Sequence, residues 1–375
     1  MGIRRTVLDC TPEFDTDLTD GFAHRLDHRA GSGTVLDAYP DARWREDTSS
    51  MSAIENSKLA IIGAGAVGTS LAYASLIRQS AREVVLYDIN EAKVEAEVLD
   101  LAHGTQFTGA SCVSGGSNLD AIAGANMVVI TAGARQHPGQ SRLDMAGVNV
   151  GILRELMPKL VERAPDAVYM IVTNPCDILT YAALHFSGLP AARVFGSGTV
   201  LDSSRLRWLL AHRVDVAIAN VHAVIVGEHG DSEFPLWSQA RVGPISLAQW
   251  VADDISPVRK GRAKFSEAEF GAITEDVKTA AYRVIAGKGA TNYAIGLSGA
   301  RIVEAVLRDE GAVLPVSSVL TGYRGVSNVA LSVPTVVNAN GVSRVIEVPF
   351  SDSEQTLFQH SADTLRATLD GLGLA

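Results

Sequence analysis

The stretch from Lys58 to Asp88, KLAIIGAGAVGTSLAYASLIRQSAREVVLYD, constrains this chain more than any other. An apolar run from Leu59 to Ile62 stops at Gly63, Gly65 and Gly68, spaced G-x-G-x-x-G. An apolar-periodic segment follows from Ala66 to about Arg78, then a β-rich run, Glu83 to Tyr87, that ends on Asp88. The pattern predicts a buried strand, a tight turn, a helix and a second strand in succession. Gly63 permits the turn, Gly65 has no Cβ to hold a diphosphate off the backbone, and Gly68 lets the helix pack close to the sheet. The helix start offers free N–H groups and the positive end of its dipole to the phosphates. Asp88, about 20 residues on, can accept hydrogen bonds from a ribose. The glycine spacing alone is weak; the two strands, the helix and the terminal acid around it make it a dinucleotide site. The same carboxylate repels a 2′-phosphate, and Ile89, Asn90 and Glu91 supply no cation to offset that. NAD is expected rather than NADP.

The rest of the chain extends this beginning. Glu91 to Leu101 reads as an amphipathic helix, Asn126 to Ala132 as a short buried strand, and Gly133 to Ser141 as a loop rich in Gly, Pro and Gln. A long helix follows through Arg163, with a kink expected at Pro158. Val168 to Val172 (strand), Asp177 to Phe186 (helix), Arg193 to Gly196 (strand) and Val200 to Arg213 (helix) continue the alternation. A Rossmann-type, doubly wound parallel sheet of α/β class is expected over 58–219, binding its ligand at the carboxyl ends of the strands. From about Asn220 the character changes. A β run, Val221 to Val226, precedes GEHGDS; long helices follow over Ser266 to Ala286 and Thr291 to Asp309. Strand-like segments over Ala312 to Val348, with a hairpin turn at Asn340-Gly341, and a closing helix, Ser353 to Leu372, complete an α+β catalytic domain over 220–375.

Residues 1–57 carry scattered charges without helical or alternating period. They read as an N-terminal extension, either a disordered tail or a start assigned too early; Phe22, Leu26 and Trp44 could instead anchor an arm on a neighbouring subunit. At 375 residues there is room for two domains with a shared core. A net charge of −10 argues against a nucleic-acid partner. The three cysteines are far apart and in no metal-ligand spacing, so neither a metal nor a disulfide framework is expected. With no apolar run long enough to span a bilayer and no secretory signal, no membrane partner is expected and the cytoplasm is the default.

A dinucleotide site does not name a reaction, so polar groups at strand ends and loops matter next. His229 follows an apolar run in Gly227-Glu228-His229-Gly230-Asp231-Ser232 and is placed to shuttle a proton. Asp202, in GTVLDSSRLRW, can hold one ring nitrogen while the other faces a substrate. Arg205 shares its helix face one turn on, and a guanidinium fits a carboxylate bidentately. Arg142, read as part of the Gly/Pro loop, can bring a second positive charge over a bound substrate. An Asp–Arg pair on a helix is more often a salt bridge, and a loop arginine more often solvated. By themselves these residues suggest proton and hydride transfer on an anionic substrate.

The chain is similar to the L-lactate/malate dehydrogenase family, and within it to the bacterial L-lactate dehydrogenases. The resemblance rests on IIGAGAVGTSLAY, LDLAHGTQF, ITAGARQHPGQSRLDM, VTNPCDILTY, GTVLDSSRLRWLL, VHAVIVGEHGDSEFPLW, TNYAIGLS and VPTVVNANGV. These run in family order from about Lys58 to the C-terminus. The resemblance implies that His229 is the proton donor and acceptor, Asp202 its orienting partner, Arg205 the clamp on the substrate carboxylate, and Arg142 the residue that polarises the ketone. Asn174 is implied as a substrate and nicotinamide-side contact. NAD contacts are implied at Gly63, Gly65, Ala66, Val67, Gly68, Asp88, Lys93, Thr131, Ala132, Gly133, Asn149, Thr173 and Asn174. Substrate choice is implied to rest on Gln136 and Thr291: malate-specific relatives carry arginine at the Gln136 position, and a neutral amide leaves a second carboxylate unpaired. Pyruvate and L-lactate are the expected substrates, bulkier 2-oxo acids an alternative, and a homotetramer the expected assembly.

Two more residues suggest regulation. Arg207 is two residues from Arg205, roughly 200° around the helix, and so is expected to point away from the pocket. His222 lies an odd number of residues before His229, which would face it oppositely in a continuous strand. Family members activated by fructose 1,6-bisphosphate carry an arginine and a histidine at these positions. The resemblance therefore implies this effector, bound across a subunit interface by Arg207 and His222.

Overall fold

The computed structural model describes residues 54, 56–109, 111–134, 142–250 and 265–374. The first half alternates as its glycine turn dictates: β1 (Lys58–Ile62), α1 (Ala66–Arg78), β2 (Glu83–Tyr87), α2 (Glu91–Gly104), β3 (Cys112–Gly116) and β4 (Met127–Ile130). Next come α3 (Arg142–Arg163), β5 (Val168–Ile171), α4 (Cys176–Ser187), β6 (Val194–Gly196) and α5 (Val200–Val214). The second half has five two-residue strands, β7 (Val221–His222), β8 (Ile225–Val226), β9 (Phe234–Pro235), β10 (Arg241–Val242) and β11 (Ile245–Ser246). It ends with α6 (Glu267–Lys288), α7 (Tyr293–Leu307), β12 (Ala312–Val319), β13 (Ala330–Asn338), β14 (Gly341–Val345) and α8 (Asp352–Gly371).

One nine-stranded sheet carries the order β14-β13-β12-β6-β5-β4-β1-β2-β3. From β6 to β3 all pairings are parallel, and the order reverses between β1 and β4, the crevice where such sheets bind ligands. The expected doubly wound sheet is thus present. The strands of the second half join it: β12 pairs antiparallel with β6 through Ser317 and Gly196. Alternate residues of β1 serve opposite faces. Leu59 and Ile61 share a core with Leu71 and Leu76 of α1 and Val303 and Val306 of α7. Ala60 and Ile62 share the other with Leu153 of α3, Leu179 of α4 and Phe358 of α8. A third core joins Leu206 and Leu210 of α5 to Val221, Ile225 and Val277.

Three details differ from the sequence reading. β3, CVSGG, was not foreseen, because it has neither an apolar run nor clean alternation; its parallel pairing with β2 makes it a strand. The expected helix after the loop begins at Arg142 itself, so Arg142 lies on α3 and not in the loop. That helix continues through Pro158. The β run over 221–226 is not continuous: β7 pairs with β10, whereas β8 pairs with β9. The parity argument that set His222 against His229 therefore fails, since alternation holds only within an unbroken strand. Residues 1–53 and Gln136 lie outside the described residues. No helix among the described residues is long and apolar enough to cross a membrane.

Candidate active site

At the cofactor end the backbone does most of the shaping. Gly63 has φ +107°, and a Cβ there would sit 2.8 Å from the Ala132 nitrogen. At Gly68 a Cβ would press on the Gly63 carbonyl, so the strand, turn and helix close up only with glycine. A Cβ on Gly65 would meet nothing within 4 Å, which leaves open space beside the helix start. Gly65 is also the N-cap of α1 and offers no side-chain cap, so the N–H groups of Ala66, Val67 and Gly68 stay available to a ligand. Asp88 closes the ring: its Oδ2 accepts from the Ala64 N–H at 2.8 Å and its Oδ1 from the Asn90 N–H at 3.0 Å. These features fit a dinucleotide diphosphate and ribose.

The other residues implied to meet the cofactor have structural partners of their own. The Thr131 hydroxyl donates to the Gly63 carbonyl at 2.9 Å and that of Thr173 to the Ala132 carbonyl at 2.8 Å. Asn149, buried, accepts from the Ala134 N–H at 2.7 Å and donates to the Asn174 carbonyl at 2.9 Å. They tie the ends of β1, β4 and β5 together around Gly133, whose Cβ would strike Thr173. Lys93 is exposed on the first turn of α2.

Asp202 and His229, the residues expected to move the proton, come from α5 and from the loop after β8. Asp202, 1 % exposed, sits in the first turn of α5, where the helix dipole favours an anion. Its Oδ2 lies 2.7 Å from Nδ1 of His229, and its Oδ1 accepts from Nη1 of Arg205. With the aspartate ionised, Nδ1–H of His229 donates and Nε2 is left for a substrate. The His229 N–H donates to Asp177 Oδ2 at 2.6 Å; Asp177, on α4, in turn accepts from the Ser317 hydroxyl of β12. Gly227 turns the chain out of β8 with φ +94°, and the Glu228 N–H donates to the Ser361 hydroxyl of α8 at 2.7 Å. The loop is thus clamped by α4, α5 and α8.

Three carboxyl groups surround the imidazole, and their states differ. Burial raises the Asp202 pKa, but the His229 charge and then Arg205 outweigh it and hold the carboxylate below its ordinary value. Asp177 is pushed up to about 6, chiefly by burial. Glu233 is raised well above the carboxylate range, first by burial and then by the Asp202 charge. For His229, burial lowers the pKa, but the carboxylates of Asp202, Glu233 and Asp177 together lift it to about 9. The surrounding carboxyl groups therefore favour the protonated ring.

Asn174, Asp202, Arg205 and His229 line one cavity of about 550 Å³, closed on other sides by α3, α6 and α8. The structure so brings together four of the expected residues. Thr291 precedes α7 and is not among the residues lining this cavity. Arg142 opens α3, whose Met145 and Ala146 reach the cavity wall. Arg207 is not among the cavity residues either; its Nε donates to the Ala223 carbonyl at 2.8 Å, next to the exposed His222. The two residues singled out for regulation thus stand at one junction of α5 and β7. Asp177 and Glu233 were missed. Asp177 reads as an acid favouring a helix start, and Glu233 as the solvated end of a polar loop; only an acid beside Ile178 and Leu179 hinted at burial.

Comparison with known proteins identifies the family. Residues 57–196 match the family model for the lactate/malate dehydrogenase NAD binding domain, and residues 199–372 that for the lactate/malate dehydrogenase alpha/beta C-terminal domain. An L-lactate dehydrogenase of Bifidobacterium animalis subsp. lactis is 49 % identical over 322 residues, covering 86 % of this chain and 99 % of that protein. One from Gloeobacter violaceus is 45 % identical over 315 residues, covering 84 % and 93 %. Among solved structures, the minor L-lactate dehydrogenase of Enterococcus mundtii in its ligand-bound form superposes with a TM-score of 0.79 at 40 % identity, covering 84 % of this chain and 98 % of that one.

Proposed function

The chain belongs to the lactate/malate dehydrogenase family and is an NAD-dependent oxidoreductase, and from that premise we propose that it is an L-lactate dehydrogenase interconverting pyruvate and L-lactate. The observation that carries the proposal is the chain of contacts from Arg205 through Asp202 to His229 on the wall of one cavity. NADH, when bound, supplies the hydride. His229 gives its Nε2 proton to the carbonyl oxygen of pyruvate as the alcohol forms, and takes it back in the reverse direction. Asp202 fixes the ring and stabilises its charge. Arg205 pairs with the pyruvate carboxylate, Asn174 adds a hydrogen bond, and Arg142 polarises the ketone as negative charge develops on its oxygen. Gln136, being neutral, would leave a diacid's second carboxylate without a counter-charge.

The test is NADH absorbance with pyruvate, oxaloacetate and 2-oxoisocaproate in turn. Fastest turnover with pyruvate is expected. Preference for oxaloacetate would make this a malate dehydrogenase, preference for 2-oxoisocaproate an enzyme of bulkier 2-oxo acids.

The proposal extends to a cytoplasmic homotetramer activated by fructose 1,6-bisphosphate. Supporting it, Arg207 of α5 donates to the carbonyl of Ala223, the residue that follows the exposed His222 of β7. Arg207 and His222 from each of two subunits would meet the phosphates. The effector is expected to sharpen pyruvate saturation in wild type and not in Arg207→Gln.

A further inference from the structure

Glu233 closes the sequence GEHGDSE and is 3 % exposed, although its position four residues after His229 in a polar loop suggests a solvated acid. A carboxyl oxygen of Glu233, a ring nitrogen of His229 and a carboxylate oxygen of Asp202 all lie within 4.8 Å of one another. A buried acid usually has a cation or several donors to hold its charge. Among the described residues no ion pair reaches Glu233, while both members of the proton couple lie within 4.8 Å of it. The spacing would also suit a divalent cation, but Asp202 already spends one oxygen on Arg205 and the other on His229. A group so placed must respond when the ring gains or loses its charge, because opposite and like charges at this range and burial interact strongly.

We propose that Glu233 is a positioning residue for the proton transfer, a buried acid that sets how firmly His229 holds its proton. Its influence is mutual. The Glu233 charge helps raise His229, and the His229 charge lowers Glu233 against the effects of burial and of Asp202. The two groups therefore titrate as a pair. The other charged and titratable groups on this cluster are Asp177 from α4, Arg205 from α5, Glu228 and Asp231 from the loop, Lys278 and Tyr282 from α6, and His360 from α8. Lys278 and Arg205 favour the ionised form of Glu233. With Glu233 in place the ring stays protonated to a higher pH, which favours reduction of the 2-oxo acid over oxidation of the hydroxy acid. This inference rests on the proposed function only for the direction in which the proton moves.

The experiment is the pH profile of kcat/KM for reduction, run on the full chain with whichever 2-oxo acid wild type reduces fastest, so that failure of pyruvate bears on the substrate proposal alone. Glu233→Gln keeps shape and removes charge. Its alkaline limb is expected to fall at a pH lower by about one unit, the size of effect one nearby charge has on a pKa. NADH affinity, read by fluorescence, should stay unchanged. Glu233→Asp keeps the charge and should keep the limb close to wild type. Should Glu233→Gln fail to fold, Glu233→Met removes the same charge with an apolar chain of similar length, an exchange buried sites often tolerate. A limb that stays at the wild-type pH in the folded charge-removing variant overturns the proposal. So does a limb displaced as far in Glu233→Asp as in Glu233→Gln, since packing would then be the cause.

Discussion

The glycine turn between β1 and α1 and the cluster around His229 handle charge in opposite ways. At the turn, the groups offered to a ligand are backbone N–H donors and a helix end, and three glycines act by having no side chain. Fixed dipoles do not titrate, so diphosphate binding at the turn should be indifferent to pH. Around His229 an imidazole is balanced among Asp202, Asp177 and Glu233, with Arg205 beyond. Every member can change charge or feel a change in another, so this half should depend on pH and on single side chains. Binding has been built from geometry, and proton transfer from a balance of opposing charges.

The comparison breaks most visibly at His229. His229→Asn is expected to lower turnover by about 100-fold or more, the low end for losing a general acid–base group, with NADH binding intact. Near-normal turnover would mean that the proton comes from elsewhere. A smaller but more telling change is Gln136→Arg, which adds a positive charge at the residue proposed to face the substrate. The ratio of the specificity constants for oxaloacetate and pyruvate should rise by roughly 10- to 200-fold. An unchanged ratio would remove Gln136 from the substrate pocket.

Gly63→Ala tests the other half. Its Cβ would fall 2.8 Å from the Ala132 nitrogen at a φ of +107°, so the turn must shift. NADH affinity should weaken about tenfold, as for roughly 1–3 kcal/mol of overpacking, while the pH profile keeps its wild-type position. If the profile moves as well, the two halves are not separate. The smallest effect is on stability. The His229 pKa in the folded chain, about 9, is above its ordinary 6.5. A raised pKa of this kind contributes stability that is fully present below 6.5 and lost as pH rises through about 9. Between pH 7 and 10 the melting temperature of wild type should therefore fall further than that of His229→Asn, by roughly 2–4 °C. Parallel curves would mean that the carboxylates do not hold the proton.

The sequence alone determined the parts whose physics is local. Lys58 to Asp88 contains the strand, turn, helix and acid of the cofactor site, because a G-x-G-x-x-G turn specifies its own backbone. Asp202 and Arg205 were legible as neighbours because a helix fixes what lies one turn away. Their link to His229 and the role of Arg142 were open possibilities from the residues alone, and that of Asn174 came only from resemblance, since no periodicity relates residues on separate elements. Tertiary structure decided the rest. It broke the β run at residues 223–224, because β7 and β8 take different partners, and it made a strand of CVSGG by giving it β2 to pair with. It also buried Asp177 and Glu233 beside the imidazole. An acid in a loop or a first helical turn looks the same in sequence whether it faces water or a histidine. Burial and proximity set its charge, and both are properties of the folded chain.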